Sequence, residues 1–279
     1  MDVIVLVKQV PDVSNIPEEA WDREKGTLRR AMLDSVINPL DLHALTFAEE
    51  LVRDDADARV VFLTMGPPAA REMLVDCLSR VPGEAILLTD KAFAGADTGA
   101  TAYSLAQAIR RIERELLDGS RDYAIVTGMQ SVDGDTAQVP PQIAEELGIA
   151  HIAYAQGLQK EPELTIRRIA AEGTEDVKPT RLPVLITLTA ATKPLFRSFA
   201  AAREAQVARI HEWDAASVDA DRTAASLDDL RVEKAPEERL ARALETVLLA
   251  RRLAARGGVA LDTYLDLLAC ERGRSPSVP

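Results

Sequence analysis

Four continuous apolar runs set what this chain can fold into. They lie in VIVLV at 3–7, ARVVFLTMG at 58–66, AILLTD at 85–90 and YAIVTG at 123–128. Apolar residues do not alternate with polar ones in these runs. Each therefore reads as a strand covered on both faces, as in a parallel sheet between helical layers. Helical patterns fill the gaps: 38–54, 67–80, 99–117 and 136–148. In the third, Tyr103, Leu105, Ala106, Ile109 and Ile112 share one side, while Arg110, Arg111 and Glu113 lie elsewhere. Strand and helix in alternation predict a doubly wound α/β domain with a mostly parallel sheet.

The texture changes near Ile152. LTIRRIAAEGTEDVKPTRLPVLITL predicts a hairpin or two strands around a Gly/Glu/Asp turn, and FAAAREAQVARIHEW a short helix running into a strand. These close an α/β domain at 1–213. From 214 to 235 the chain is polar without a sustained apolar period, which predicts an extended arm. PEERLARALETVLLARRLAARGG then predicts a capped amphipathic helix, with Pro236 in its first turn, Gly257 as its stop, and Leu240, Leu244, Val247 and Leu248 as its stripe. That helix would dock on a partner or on its own domain, completing a second region at 214–279.

The chain's 279 residues carry a formal net charge of −12, which disfavours nucleic acid as a partner because phosphates are repelled at range. Cys77 and Cys270 stand far apart in apolar helical contexts and read as buried thiols in a reducing compartment. The N-terminus has no basic region ahead of a long apolar stretch, and no run approaches the ~20 apolar residues of a membrane helix. A soluble, cytoplasmic protein is expected.

No G-x-G-x-x-G, P-loop or G-x-S-x-G elbow is present, and the glycine–serine loop of ATP-pyrophosphatases is missing. His43, His151 and His211 are isolated from one another and from cysteines. No catalytic residue and no metal ligand is assigned. The residues argue for binding rather than bond breaking.

Three strand-to-helix junctions are candidates for that binding. In INPLD, Asn38 and Pro39 suit a helix cap with proline at the first helical position, and they equally suit a ligand at the sheet's carboxyl edge. In FAGADTGATA, Asp97 suits a helix cap, while Thr98 and Thr101, one turn apart, could face a ligand. TGMQSVDGDTAQVPP is a glycine-bearing loop with two carboxylates and no lysine of its own. Asp135 or Thr136 could cap the following helix. Backbone N–H groups at that turn could receive an anion without help from a cationic side chain.

Five blocks then occur in order: VLVKQVPD, SVINPLDLHALTFAEEL, VVFLTMGPPAA, FAGADTGATAYSLAQAI and DGDTAQVPPQIAEELGI. Together they resemble the beta subunit of electron transfer flavoprotein, over roughly residues 1–213. AGADT and DGDTAQV are most similar to its nitrogen-fixation-associated, electron-bifurcating branch. The resemblance implies an adenine nucleotide alpha hydrolase-like fold and a heterodimer with an alpha subunit that carries its own FAD. This chain would hold a second adenine nucleotide. In the bifurcating branch that is FAD, near which NADH delivers a hydride; in other members it is AMP, a structural ligand. A dehydrogenase or quinone oxidoreductase is the implied further partner, acyl-CoA dehydrogenases in the AMP case. A nucleotide hydrolase of similar fold is a third reading, disfavoured by the missing loop.

By matched position the resemblance places the nucleotide against Leu6, Asn38, Pro39, Leu40, Asp41 and Met65. It continues along Gly128, Met129, Gln130, Ser131, Val132, Asp133, Gly134, Asp135, Thr136, Ala137, Gln138 and Val139, with Asp97, Thr98 and Thr101 bordering the flavin. Met129 stands where the family usually has lysine, and Pro140 where it has glycine.

Overall fold

A computed structural model describes residues 1–12, 17–22, 27–28, 32–160, 162–190, 192–221 and 224–225. In chain order its strands and helices are β1 (Asp2–Leu6), β2 (Gln9–Pro11), β3 (Trp21–Asp22), β4 (Thr27–Leu28), β5 (Ser35–Ile37), α1 (Pro39–Val52), β6 (Val60–Met65), α2 (Arg71–Arg80) and β7 (Glu84–Leu88). Next come α3 (Thr98–Glu115), β8 (Tyr123–Gly128), α4 (Val139–Leu147), β9 (Ala150–Gln159), β10 (Thr165–Ala170), β11 (Gly173–Val177), β12 (Val184–Leu188), α5 (Phe199–Val207) and β13 (Ile210–Trp213).

A nine-stranded sheet runs in the order β11-β10-β9-β12-β8-β1-β6-β7-β13. All neighbours from β9 to β13 pair parallel. β10 and β11 extend the edge as an antiparallel hairpin. The α/β class and the mostly parallel sheet expected from the apolar runs are what the chain forms.

The runs are continuous because alternate residues serve two cores. Val3, Val5, Phe62, Ala85, Leu87, Ala124 and Val126 face one cluster, packed by α1 and α2 through Leu45, Phe47, Leu74 and Cys77. Ile4, Leu6, Val61, Leu63, Ile86, Leu88 and Ile125 face the other, packed by α3 and α4 through Leu105, Ile109, Ile112 and Ile143. The α1 crossover carries the chain from β1 to β6 on one side. The α3 crossover brings it back to β8, on the other side of β1. The order therefore reverses between β1 and β8, where doubly wound folds open a crevice beyond the strand ends.

Two expectations need correction, and one strand had no counterpart among the expectations. Strand β9 was not anticipated as a strand from residue 150: its residues are largely half-buried or exposed, so the apolar run that marks the central strands is missing. Residues 214–225 are not an extended arm where they are described. Ala215, Val218, Ala220 and Ala225 are buried in the α3–α4 core, the Asp221 amide donates to the Tyr103 hydroxyl at 3.1 Å, and the Arg111 guanidinium stacks 4.3 Å over the Trp213 ring. Small alanines set between charges gave no readable period, yet they fit close against a helix. Finally, neither Asp135 nor Thr136 caps α4. That helix begins at Val139 after Gln138, with no side-chain cap bond. Cys77 is fully buried, and burial pushes its thiol well above the ordinary range. Cys270 and the amphipathic helix expected from Pro236 lie outside the described residues.

Candidate functional site

A cleft of about 380 Å³ opens at the reversal point. Its floor is apolar: Leu6 from β1, Leu63 and Met65 from β6, Leu105 from α3 and Ile143 from α4. Polar residues complete the lining: Lys8, Asn38, Asp97, Thr98, Thr101, Thr127, Gln130, Ser131, Thr136 and Gln138. The volume falls within the ~300–1,000 Å³ usual for small-molecule sites.

Asp41 holds the cleft's two founding strands together. It is 3% exposed. One carboxylate oxygen accepts the Lys8 amide at 2.8 Å, the other the Gly128 amide at 2.9 Å. The first turn of α1 thus ties the ends of β1 and β8, which lie 33 and 87 residues away along the chain. Burial pushes the Asp41 carboxyl up to about 6, against the opposing pull of the two amides and of Asn38. Gly128 has to be glycine here: a Cβ would lie 2.6 Å from Asp41 Oδ1 and 2.7 Å from Leu40 Cβ.

Asn38 is 1% exposed. It precedes Pro39 at the start of α1, and its carbonyl accepts the Asp41 amide at 2.9 Å, but its side chain makes no cap bond. Instead its Nδ2 donates to the Gln130 carbonyl at 2.9 Å, and its Oδ1 accepts the Val132 amide at 3.2 Å. The backbone starts the helix, and the side chain clamps the loop that borders the cleft.

That loop, 129–138, turns tightly. Asp135 (φ 51°) and Ala137 (φ 54°) take left-handed conformations, and the Asp135 amide donates to the Ser131 carbonyl at 2.8 Å. Asp133 is not left bare. The Lys8 ammonium, reaching across from the end of β1, donates to Asp133 at 2.8 Å and to Ser131 at 3.0 Å. Hydrogen bonds from Lys8 and Ser131 keep the Asp133 carboxyl below its ordinary range despite burial. Past the loop, α4 opens with Pro140 and Pro141, which have no N–H to offer an anion.

The opposite rim is the start of α3. Asp97 caps it by accepting the Ala100 amide at 2.8 Å. The Thr98 hydroxyl donates across the opening to Gln138 at 3.2 Å. Thr101, one turn on, lines the cleft.

Of the residues singled out from the sequence, Leu6, Asn38, Asp41, Met65, Asp97, Thr98, Thr101, Gly128, Gln130, Ser131, Gly134, Thr136, Ala137, Gln138 and Val139 line this one cleft. Pro39, Leu40, Met129, Val132, Asp133 and Asp135 do not. Of these, Leu40 packs under Gly128 and Asp133 anchors Lys8. Lys8, Thr127, Leu105 and Ile143 were missed. The strand-end position of Lys8, two residues past Leu6, was the available signal for it. An apolar floor under hydroxyls, amides and one ammonium suits a flat ring system with a hydroxylated, lightly charged tail.

Among the described residues no cluster of histidine, cysteine and carboxylates is arranged to hold a metal, and no helix is long and apolar enough to cross a membrane.

Residues 25–218 match the electron transfer flavoprotein domain family. The electron transfer flavoprotein subunit beta of Clostridium acetobutylicum is 37% identical, over 80% of this chain and 82% of its own. Protein FixA of Bradyrhizobium diazoefficiens is 41% identical, over 77% of this chain and 74% of its own. The caffeyl-CoA reductase-Etf complex subunit CarD of Acetobacterium woodii is 37% identical, over 67% of this chain and 68% of its own.

Proposed function

The chain belongs to the electron transfer flavoprotein family, and from that premise we propose that it is a cytoplasmic beta subunit that holds the adenine-nucleotide end of an FAD in the cleft between β1 and β8. One observation carries the choice of FAD. Thr98 and Thr101 line the same cleft as Asn38, Asp41 and the Gly128–Val139 loop, so the nucleotide loop and the helix start implied to border a flavin share a single opening.

The residues fit such a group. Leu6, Leu63, Met65 and Ile143 offer a surface for a flat base. Thr98, Thr101 and Thr136 offer hydroxyls for ribose or phosphate oxygens. Asp41 and Asn38 hold the walls by fixing the strand ends and the loop before any ligand arrives. Bound here, FAD would supply acceptance of an electron pair from a hydride donor such as NADH and its release toward the alpha-subunit FAD.

The further partner, a dehydrogenase or quinone oxidoreductase, we assign to the segment around Phe196 and Phe199, which are 95% and 89% exposed. Large aromatic side chains on a surface are the anchors that protein interfaces use.

The second reading, AMP as a structural ligand in a subunit that docks acyl-CoA dehydrogenases, draws on the volume of the cleft, which stands near the low end of the usual range. A cofactor count separates the two. The chain is co-expressed with its alpha subunit and the dimer is denatured to release its ligands. Two FAD per dimer is expected. One FAD with one AMP selects the second reading, and one FAD with no other nucleotide overturns both.

A further inference from the structure

The cleft is poor in positive charge. Among the described residues that line it, only Lys8 is a lysine or arginine. Met129 adds no cation to the loop, and Pro140 and Pro141 remove two N–H groups from the first turn of α4. Both ordinary means of holding a phosphate, a cationic side chain in the loop and the open start of the following helix, are thus reduced together.

Lys8 comes from a different element. It follows β1, and its amide is pinned by the buried Asp41 carboxylate at 2.8 Å. Its side chain turns to the loop, where Asp133, 12% exposed, and the Ser131 hydroxyl take two of the ammonium's three protons. Asp133 and Ser131 hold the ammonium in place, and one donor remains. Lys8 itself lines the cleft and is 49% exposed. The charged head is thus positioned at both ends of its side chain and has a donor left for a ligand oxygen.

We propose that Lys8 is the residue by which this site recognises the phosphate of its nucleotide, with Asp133 and Ser131 as the positioning groups that fix its ammonium. The inference rests on the adenine-nucleotide reading of the cleft. The contrast to exclude is a purely structural one, in which the Lys8–Asp133 pair only fastens the loop. The two differ in what they do to a ligand that has no phosphate. A loop fastener supports adenosine and AMP alike. A phosphate ligand supports AMP alone.

The test uses the full-length chain purified with its alpha subunit and dialysed free of nucleotide. AMP and adenosine are titrated by calorimetry into the wild type and into Lys8→Met, Lys8→Arg and Asp133→Asn. Losing one charge-assisted hydrogen bond should lower the AMP-to-adenosine affinity ratio of Lys8→Met about tenfold, with adenosine affinity nearly unchanged. Lys8→Arg should restore most of the ratio. Asp133→Asn should lower it by less than Lys8→Met does, because the ammonium keeps its charge but loses the carboxylate that fixes it. The ratio in the wild type should fall as salt rises, through screening. Equal losses for both ligands in Lys8→Met would overturn the proposal while leaving the adenine-nucleotide reading intact. Wild type that binds neither ligand would overturn that reading itself. Far-ultraviolet circular dichroism and a urea melt of each variant identify any that fails to fold; should Lys8→Met be one, Lys8→Arg and Asp133→Asn decide alone, and an Asp133→Asn that weakens AMP and adenosine equally overturns the proposal.

Discussion

The buried carboxylate of Asp41 accepts the backbone amide of Gly128 at 2.9 Å, joining the first turn of α1 to the end of the strand that begins the 129–138 loop. Its other oxygen takes the Lys8 amide at 2.8 Å. One side chain thus fixes the spacing of the two strand ends between which the sheet order reverses.

Asp41 should leave a pH signature. Burial raises its carboxyl to about 6 from an ordinary 3.8. A raised acid pKa means that the folded chain holds the proton more tightly than the unfolded one. The stabilisation from protonation is therefore complete below about pH 4 and lost as pH climbs through about 6. The wild type's advantage in unfolding free energy over Asp41→Asn should fall by about 1 kcal/mol between pH 5 and pH 7.5. Urea unfolding of both proteins at the two pH values measures it, and an unchanging difference would contradict the assignment.

Gly128 and Gly134 make a matched pair of substitutions in one region. An alanine Cβ at 128 would meet Leu40 main-chain carbon at 2.9 Å as well as the Asp41 carboxylate, and backbone cannot swing aside. Gly128→Ala should cost about 2 kcal/mol of stability and loosen the nucleotide. At 134 the nearest atom is the Ser131 hydroxyl at 3.4 Å, so Gly134→Ala should stay within about 0.5 kcal/mol of wild type. Thermal melts with and without nucleotide compare them.

Asn38 uses its amide as both donor and acceptor, to the Gln130 carbonyl and from the Val132 amide. Asn38→Asp keeps the acceptor but sets a carboxylate oxygen against that carbonyl. It should lose nucleotide affinity by roughly tenfold while far-ultraviolet circular dichroism stays unchanged, because α1 takes no side-chain cap bond from this residue. A loss of helix signal of the size of α1 would show instead that the cap dominates.

Phe196→Ser should slow electron delivery to the partner by about tenfold, as removal of an exposed aromatic anchor would, while nucleotide content per dimer stays the same. Stopped-flow transfer kinetics beside a cofactor assay would check this; an unaltered rate would move the docking surface elsewhere.

The strands of the sheet's centre were legible because each is buried on two faces. Ile4 and Val5, or Ile125 and Val126, serve opposite cores, so every position needs an apolar side chain and the run is unbroken. β9 was illegible for the converse reason, since much of it is half-buried or exposed. The buried alanines Ala215, Ala220 and Ala225 were illegible because such small side chains bury little area each and leave no period.

By itself the sequence determined the class of fold and, through five ordered blocks, the family. Those follow from local pattern: periodicity, punctuation by glycine and proline, and residues at fixed spacing. The tertiary structure alone decided how charge is placed in the site. Lys8 and Asp133 are 125 residues apart, and Asp41 and Gly128 are 87. Read along the chain, the loop is acidic and has no lysine; folded, it has one, because β1 and β8 lie side by side. Hydrogen bonds and desolvation act through space, and a sequence records only neighbours along the chain.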